Sequence, residues 1–153
     1  MAAESTPTGP VVTGIDGSEA SLHALRHAID EAKWRDAELH VVHVLDVTPA
    51  VLHLEGDVTI TTRELAESDR AEIWRLARPL LEDAGVGVVR VERDGAPGKA
   101  LAAYGEEVGA SVLVVGPRGR GMMKKLLLGS TAEDVVGSAT CDVLLVKPRS
   151  EPL

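Results

Sequence analysis

Residues 111–131, SVLVVGPRGRGMMKKLLLGST, join a short apolar run to a glycine-rich loop and then to the start of a helix. The run Ser111–Val115 is rich in β-branched residues and predicts a buried strand. Ser130 and Glu133 form a capping-box pattern, which favours a helix over Ser130–Ser138. A strand, a glycine loop and a helix in this order are typical of α/β proteins with parallel strands.

The same alternation of apolar runs and helical patterns extends over the rest of the chain. Ser18 can cap one helix, and Pro97 suits the first turn of another, which is expected to stop near Gly109. Residues 46–60 show no period and are predicted to form a loop. The predicted strands are Pro10–Ile15, Leu39–Leu45, Val86–Val91, Ser111–Val115 and Asp142–Val146. Together they predict a three-layer α/β/α domain with a five-stranded parallel sheet, Rossmann-like, whose ligands bind beyond the carboxyl ends of the strands.

A second capping-box pattern predicts the start of a long helix between the second and third strands. Thr61 and Glu64 form this pattern, and Gly85 is expected to close the helix. Pro79 lies inside the helical pattern, where it is expected to kink the helix or weaken its last turn.

Composition limits the possible functions. The 153 residues fit one domain, with an expected core at about 9–148 and tails at 1–8 and 149–153. The net charge of −8 and the 2% aromatic content argue against nucleic-acid binding. The N-terminal residues do not resemble a signal peptide, and no apolar run is long enough to predict a membrane helix. With Cys141 as its one cysteine, the protein is expected to be cytoplasmic.

The glycine-rich loop has three features that suit a phosphate. Glycines let backbone N–H groups turn toward an anion, and the helix that follows Gly129 has a positive N-terminal end. No acidic residue occurs from Gly116 to Ala132. The basic residues of the loop are Arg118, Arg120, Lys124 and Lys125. The alternative is a flexible surface loop in which Ser130 and Glu133 only cap a helix, but the position after an apolar strand favours phosphate binding.

Four separated segments resemble the universal stress protein family. The pattern Gly116-x2-Gly119-x9-Gly129-Ser130 is similar to the family's nucleotide-binding motif, with its spacing intact. The other similar segments are Gly14-Ile15-Asp16-Gly17-Ser18, His43-Val44-Leu45-Asp46 and Cys141-Asp142-Val143-Leu144-Leu145-Val146. The resemblance covers about residues 9–148, and its strength lies in the agreement of all four segments in order and spacing.

This resemblance implies strand order 3-2-1-4-5, similar to the adenine nucleotide α-hydrolases, with ATP across the ends of the first and fourth strands. Asp16 would be a polar anchor. The residues implied to contact adenine and ribose are Gly14, Ile15, Asp16, Val44, Val115 and Gly116. The residues implied to bind or approach the phosphates are Arg118, Gly119, Arg120, Gly121, Gly129, Ser130 and Thr131. Mg²⁺ would accompany the triphosphate and bind mainly through the phosphates.

The implied role is that of a nucleotide-dependent stress-response or regulatory module. A homodimer through the last strand, Asp142–Val146, and an unidentified protein partner are also implied. No base or nucleophile is evident, so we expect little or no evolved catalysis. The alternatives are a dimeric interaction protein that binds no nucleotide and an ATP-pyrophosphatase-type enzyme. The run Met122-Met123-Lys124-Lys125 is more basic than the family leads us to expect, which leaves the role of the lysine pair open.

Several other residues have an alternative interpretation. Asp16 precedes Gly-Ser and can serve as a cap for the first helix. His23 and His27 have metal-ligand spacing on a helix, but no third ligand stands nearby in the sequence, so we expect a solvated or packed pair. Cys141 is expected in the core and not as a nucleophile. Gly98-Lys99 lacks the spacing and the following Ser or Thr of a phosphate-binding lysine loop.

Overall fold

The computed structural model describes residues 9–46, 51–53, 59–117 and 128–148. Over these residues, strands and helices alternate along the chain. The strands are β1 (Val11–Ile15), β2 (Leu39–Leu45), β3 (Val51–His53), β4 (Thr59–Thr61), β5 (Val88–Asp94), β6 (Val112–Val115) and β7 (Asp142–Leu145). The helices are α1 (Glu19–Arg35), α2 (Thr62–Glu82), α3 (Pro97–Val108) and α4 (Ser130–Ser138).

The main sheet has five parallel strands in the order β5-β2-β1-β6-β7. Val11 of β1 lies opposite Leu39 of β2 on one side and Val112 of β6 on the other. Numbered within this sheet alone, the order is 3-2-1-4-5, so the implied order is confirmed. The chain adds strands to one side of β1 and then returns to add β6 and β7 on the other. The direction of winding therefore reverses between β1 and β6.

Two hydrophobic cores lie on opposite faces of the sheet. The core under α1 and α2 includes Leu25 and Ile73, and the core under α3 and α4 includes Leu101. Val11 belongs to the first core and Val12 to the second, because successive side chains of a strand point to opposite faces. Helices on both faces confirm the predicted α/β/α layers.

Most elements have the predicted positions. The bounds of β2 and α4 are those predicted, and α3 begins at Pro97 and ends before Gly109, whose φ is 63°. The capping role expected of Ser130 is wrong, because Ser130 is the first residue of α4 and its N-cap is Gly129, which has no side chain to form a cap hydrogen bond. Pro79 lies inside α2, as predicted, and Gly85 beyond its end has a φ of 69°. Among the described residues, no helix combines the length and hydrophobicity needed to cross a membrane.

Two predictions about the region between β2 and α3 are wrong. Part of the predicted loop at residues 46–60 forms β3 and β4, which pair antiparallel as a separate two-stranded sheet. Thr61 is the last residue of β4, and α2 starts at the next residue, Thr62. β5 runs from Val88 to Asp94 and not over Val86–Val91, because it pairs with β2 as far as Leu45 opposite Asp94.

Candidate functional site

A cleft opens at the carboxyl ends of β1 and β6, where the winding reverses. The space within it amounts to about 630 Å³, a volume that includes open solvent at its mouth. In open α/β sheets ligands bind at this position because the loops after the two strands diverge. The lining residues are Gly14, Ile15, Asp16, Ser21, Val42, Val44, Pro97, Leu101, Val115, Gly116 and Thr131.

The turn after β1 brings Asp16 to the cleft. Gly17 has a φ of 82°, a conformation that favours glycine, and it leads the chain into α1. The Asp16 Oδ1 atom accepts hydrogen bonds from the Ser18 N–H at 2.9 Å and the Ser18 hydroxyl at 2.5 Å. The Ser18 hydroxyl accepts the N–H of Ser21 at 3.1 Å, which confirms the predicted cap of α1. Asp16 thus orients the cap residue while it borders the cleft.

Apolar side chains form the walls of the cleft. Val42 and Val44 are two residues apart on β2 and therefore face the same side. Val115 at the end of β6 and Leu101 of α3 are buried and complete the apolar lining. Such walls can enclose the faces of a flat ring and leave its polar edge to the backbone.

Two helices begin beside the cleft. Pro97 is the first residue of α3, and Thr131 is the second residue of α4. Gly129 is the N-cap of α4, and its N–H donates to the carbonyl oxygen of Pro117 at 2.7 Å. The first N–H groups of a helix lack intrahelical acceptors and form its positive end, so this side of the cleft suits an anion.

The structure brings together most of the residues that were predicted to meet a nucleotide. Every residue predicted at adenine and ribose lines the cleft, and so does Thr131 of the phosphate set. Gly129 and Ser130 precede Thr131 at the start of α4 but do not line the cleft. The remaining loop residues singled out from the sequence lie outside the described part of the chain: Arg118, Gly119, Arg120, Gly121, Met122, Met123, Lys124 and Lys125.

Four lining residues were not predicted: Ser21, Val42, Pro97 and Leu101. Val42 could have been found from Val44, because residues two apart on a strand share a face. Ser21 comes from the first turn of α1, and its hydroxyl accepts the Asp16 N–H at 3.3 Å. Pro97 and Leu101 reach the cleft from α3, which is apparent only once the sheet order is known.

Asp16 is the one charged residue among the described residues that line the cleft. The described part of the chain contains no group of three or more His, Cys, Asp or Glu residues that could hold a metal ion. His23 and His27 contact each other edge to face, with ring centroids 4.9 Å apart. His23 is half-buried and His27 is exposed, so the two rings contact each other at the surface, which is compatible with the expected solvated or packed pair.

A second polar region lies on the α2 side of the sheet, and we call the residues Trp74, Glu92 and His43 the polar edge. His43 Nδ1 lies 2.9 Å from Glu92 Oε2. The Trp74 Nε1–H donates to Glu92 Oε1 at 2.6 Å. The buried imidazole and the indole thus share one carboxylate, which joins α2 to β2 and β5.

On the α3 side, His40 Nδ1 lies 2.7 Å from the hydroxyl oxygen of Tyr104. Burial lowers the pKa of His40, although the Glu38 carboxylate opposes this effect. Burial also raises the pKa of Tyr104. Cys141 is half-buried against the core of α3 and α4, and burial raises the pKa of its thiol. A protonated thiol is a poor nucleophile, in agreement with a packing role.

The strand order and the position of the cleft define an open, doubly wound α/β protein of the Rossmann-like class. The chain belongs to the universal stress protein family, because a model of the Universal stress protein family matches residues 8–147. It is 36% identical over 143 residues to a universal stress protein of Methanocaldococcus jannaschii, a match that covers 92% of this chain and 84% of that protein.

Solved structures agree with this assignment. A universal stress protein from Archaeoglobus fulgidus superposes with a TM-score of 0.71 and 26% identity, over 91% of this chain and 98% of that one. A universal stress protein solved in complex with cAMP gives a TM-score of 0.64 and 28% identity, over 91% of this chain and 97% of that one.

Proposed function

We propose that this protein binds ATP in the cleft between β1 and β6 and acts as a nucleotide-dependent module of the stress response. The observation that carries the proposal is the cleft itself, in which the residues expected at adenine and ribose meet the N-terminus of α4. The related structure in complex with cAMP supports an adenine nucleotide as the class of ligand.

The charges around the cleft favour one orientation of the nucleotide. The carboxylate of Asp16 would repel phosphates but can accept a hydrogen bond from a ribose hydroxyl. The N-terminus of α4, next to Thr131, favours negative charge. The adenine would lie against the apolar wall that includes Val44 and Leu101, with the phosphates directed toward α4.

Mg²⁺ would enter with the triphosphate and bind mainly to phosphate oxygens. This mode suits the described residues, which provide no cluster of three metal-binding side chains. Hydrolysis would need a base beside the terminal phosphate. Asp16 is bound to Ser18 and stands at the proposed ribose end, so we propose binding without evolved turnover.

We also propose a homodimer that forms through β7 in the cytoplasm. Within the described residues, β7 pairs only with β6 and is the last strand of the sheet. Val143, Leu144 and Leu145 are only half-buried in the single chain. An uncovered strand edge beside partly exposed apolar side chains can pair with a second copy. A reducing compartment is in keeping with a single cysteine.

The direct test is to denature the purified protein and identify the released small molecules by chromatography. We expect ATP, and we expect calorimetric titration of the emptied protein to show ATP binding in preference to GTP. A protein that releases no nucleotide and takes up no added ATP would contradict the proposal and favour the interaction-only alternative. Release of pyrophosphate from ATP would instead favour an enzyme. Light scattering of the same sample tests the dimer.

A further inference from the structure

We infer that Gly98, in the first turn of α3, is a positioning residue that holds the N-terminus of α4 at the phosphate end of the cleft. Gly98 does not itself line the cleft, although Pro97 and Leu101 on either side of it do. The inference rests on the proposed nucleotide site and adds to it the contact that sets the position of α4.

The two helices touch at Gly98 without room for a side chain. A Cβ atom on Gly98 would lie 2.6 Å from the carbonyl oxygen of Thr131 and 2.6 Å from Cβ of Asp134. It would also lie 3.0 Å from Cα of Thr131. Non-bonded carbon atoms normally stay about 3.5–4.0 Å apart. Because two of these three atoms belong to the backbone, α4 itself would have to move.

This contact bears directly on the cleft. Thr131 supplies the backbone that Gly98 touches, and Thr131 and Pro97 both line the cleft. The approach of α3 to α4 therefore sets the width of the cleft at its α4 end. On the other side, the hydrogen bond from Gly129 to Pro117 holds the residue that caps α4. The start of α4 is thus held by two contacts that involve no ligand.

Helix stability does not explain a glycine at this position, since glycine weakens a helix relative to alanine. Two other helical glycines provide the contrast. A Cβ on Gly105, also in α3, would meet side-chain atoms of Leu113 at 3.2–3.3 Å, so that contact concerns the sheet and not α4. A Cβ on Gly137 in α4 would meet nothing within 4 Å. Only Gly98 of these three glycines fixes the spacing of the two helices.

The test compares ATP with adenosine, because adenosine occupies the base and ribose end without using α4. Calorimetric titration of Gly98→Ala should show ATP affinity reduced about tenfold and adenosine affinity changed by less than about twofold, since weakened hydrogen bonds to charged phosphates account for the loss. Gly105→Ala controls for general overpacking, and Gly137→Ala controls for replacing a helical glycine. Both controls should keep the wild-type ratio of the two affinities.

The outcomes separate the inference from the proposed function. A wild-type protein that binds no ATP would overturn the proposed site. A wild-type protein that binds ATP, with an unchanged affinity ratio in Gly98→Ala, would overturn the role of Gly98 alone. The role of Gly98 would also be overturned if Gly98→Ala and Gly105→Ala both lost affinity for ATP and for adenosine to the same extent. The effect would then be general destabilisation.

Hydrogen exchange of the wild-type protein gives a second test that does not depend on how the variant folds. The N–H of Glu133 donates to the carbonyl of Gly129 at 2.9 Å in the first turn of α4. If the contact with α3 holds this helix, the amides from Glu133 to Val136 should exchange slowly before nucleotide is added. Protection that arises only after ATP is added would contradict the inference.

Discussion

Two regions on opposite faces of β2, the cleft and the polar edge, differ in how their polar groups are paired. Val42 and Val44 face the cleft, whereas His43 between them faces the polar edge. At the polar edge, His43 and Trp74 are both bonded to the carboxylate of Glu92. The cleft instead combines apolar walls with the starts of helices, whose first N–H groups have no partner within the helix.

This difference indicates that the polar edge stabilises the fold and that the cleft is available to a ligand. A buried polar group that is paired inside the protein contributes to stability, and an unpaired one is costly. Among the described residues, no buried side-chain nitrogen or oxygen lacks a hydrogen-bond partner. The polar edge is therefore complete as it stands, whereas the cleft presents groups that a nucleotide could satisfy. Three predictions test this contrast.

The largest effect is expected from Gly14→Val, which would fill the cleft. A Cβ on Gly14 would already lie 3.3 Å from Cδ2 of Leu101, and the two methyl groups of valine would extend into the space proposed for the nucleotide. We expect calorimetry to show ATP affinity reduced about a hundredfold, which corresponds to a loss of about 2.8 kcal/mol in binding free energy.

Gly87→Val is the matched control at the opposite end of the strands. A Cβ there would meet only Cγ of Glu38, at 3.6 Å. This variant should bind ATP like the wild-type protein, and circular dichroism should show that both variants are folded. If Gly14→Val retains wild-type affinity, the nucleotide does not occupy this cleft.

The sequence predicted the elements whose residue pattern matches their surroundings. β2 is mostly apolar and lies inside the sheet, between β5 and β1, so its bounds were predicted correctly. The predicted bounds of β5 were displaced because β5 lies at the edge of the sheet, where Arg90, Glu92 and Arg93 interrupt the hydrophobic run. The pairing with β2, which no local pattern reveals, decides where β5 ends.

The cleft was predicted only in part, because some of its residues have a local sequence signal and others are placed only by tertiary packing. Residues such as Asp16 and Gly116 directly follow strands, so their place at the carboxyl edge is a local property of the sequence. Leu101 has the pattern of an ordinary core residue, and it belongs to the core under α3 as well as to the cleft. The contact of Gly98 with α4 depends on the packing of two helices, which spacing along the chain does not show.

An intermediate effect, on stability and not on binding, is expected from Glu92→Ala. This change removes the acceptor shared by His43 and Trp74 and leaves the buried imidazole without its carboxylate partner. We expect chemical denaturation to show a loss of about 2 kcal/mol in the free energy of unfolding. ATP affinity should change by less than about twofold, since the polar edge lies on the other face of the sheet.

Glu107→Ala provides the comparison, because Glu107 pairs with Arg93 at 3.2 Å on the surface. Exposed ion pairs contribute about 0–1 kcal/mol, so this variant should be nearly as stable as the wild-type protein. If Glu92→Ala costs no more than Glu107→Ala, the polar edge does not stabilise the fold as we describe.

The smallest effect concerns Asp16, which takes part in both kinds of chemistry. Its carboxylate accepts two hydrogen bonds from Ser18, as a structural group would, and it borders the cleft, as a ligand-binding group would. Asp16→Asn keeps an oxygen for the Ser18 N–H and removes the charge. We expect ATP affinity reduced about tenfold, since a hydrogen bond from a ribose hydroxyl to a charged acceptor is lost.

Ser18→Ala separates the two roles, because it removes the cap of α1 and leaves the carboxylate of Asp16 in place. Loss of an N-cap should lower the free energy of unfolding by about 1 kcal/mol, which denaturation would measure, with a smaller change in ATP affinity than in Asp16→Asn. If Asp16→Asn instead resembles Ser18→Ala in both measurements, Asp16 acts only through the cap. The polar anchor of the ribose would then have to be sought elsewhere, with the Ser21 hydroxyl as the next polar group on the cleft wall.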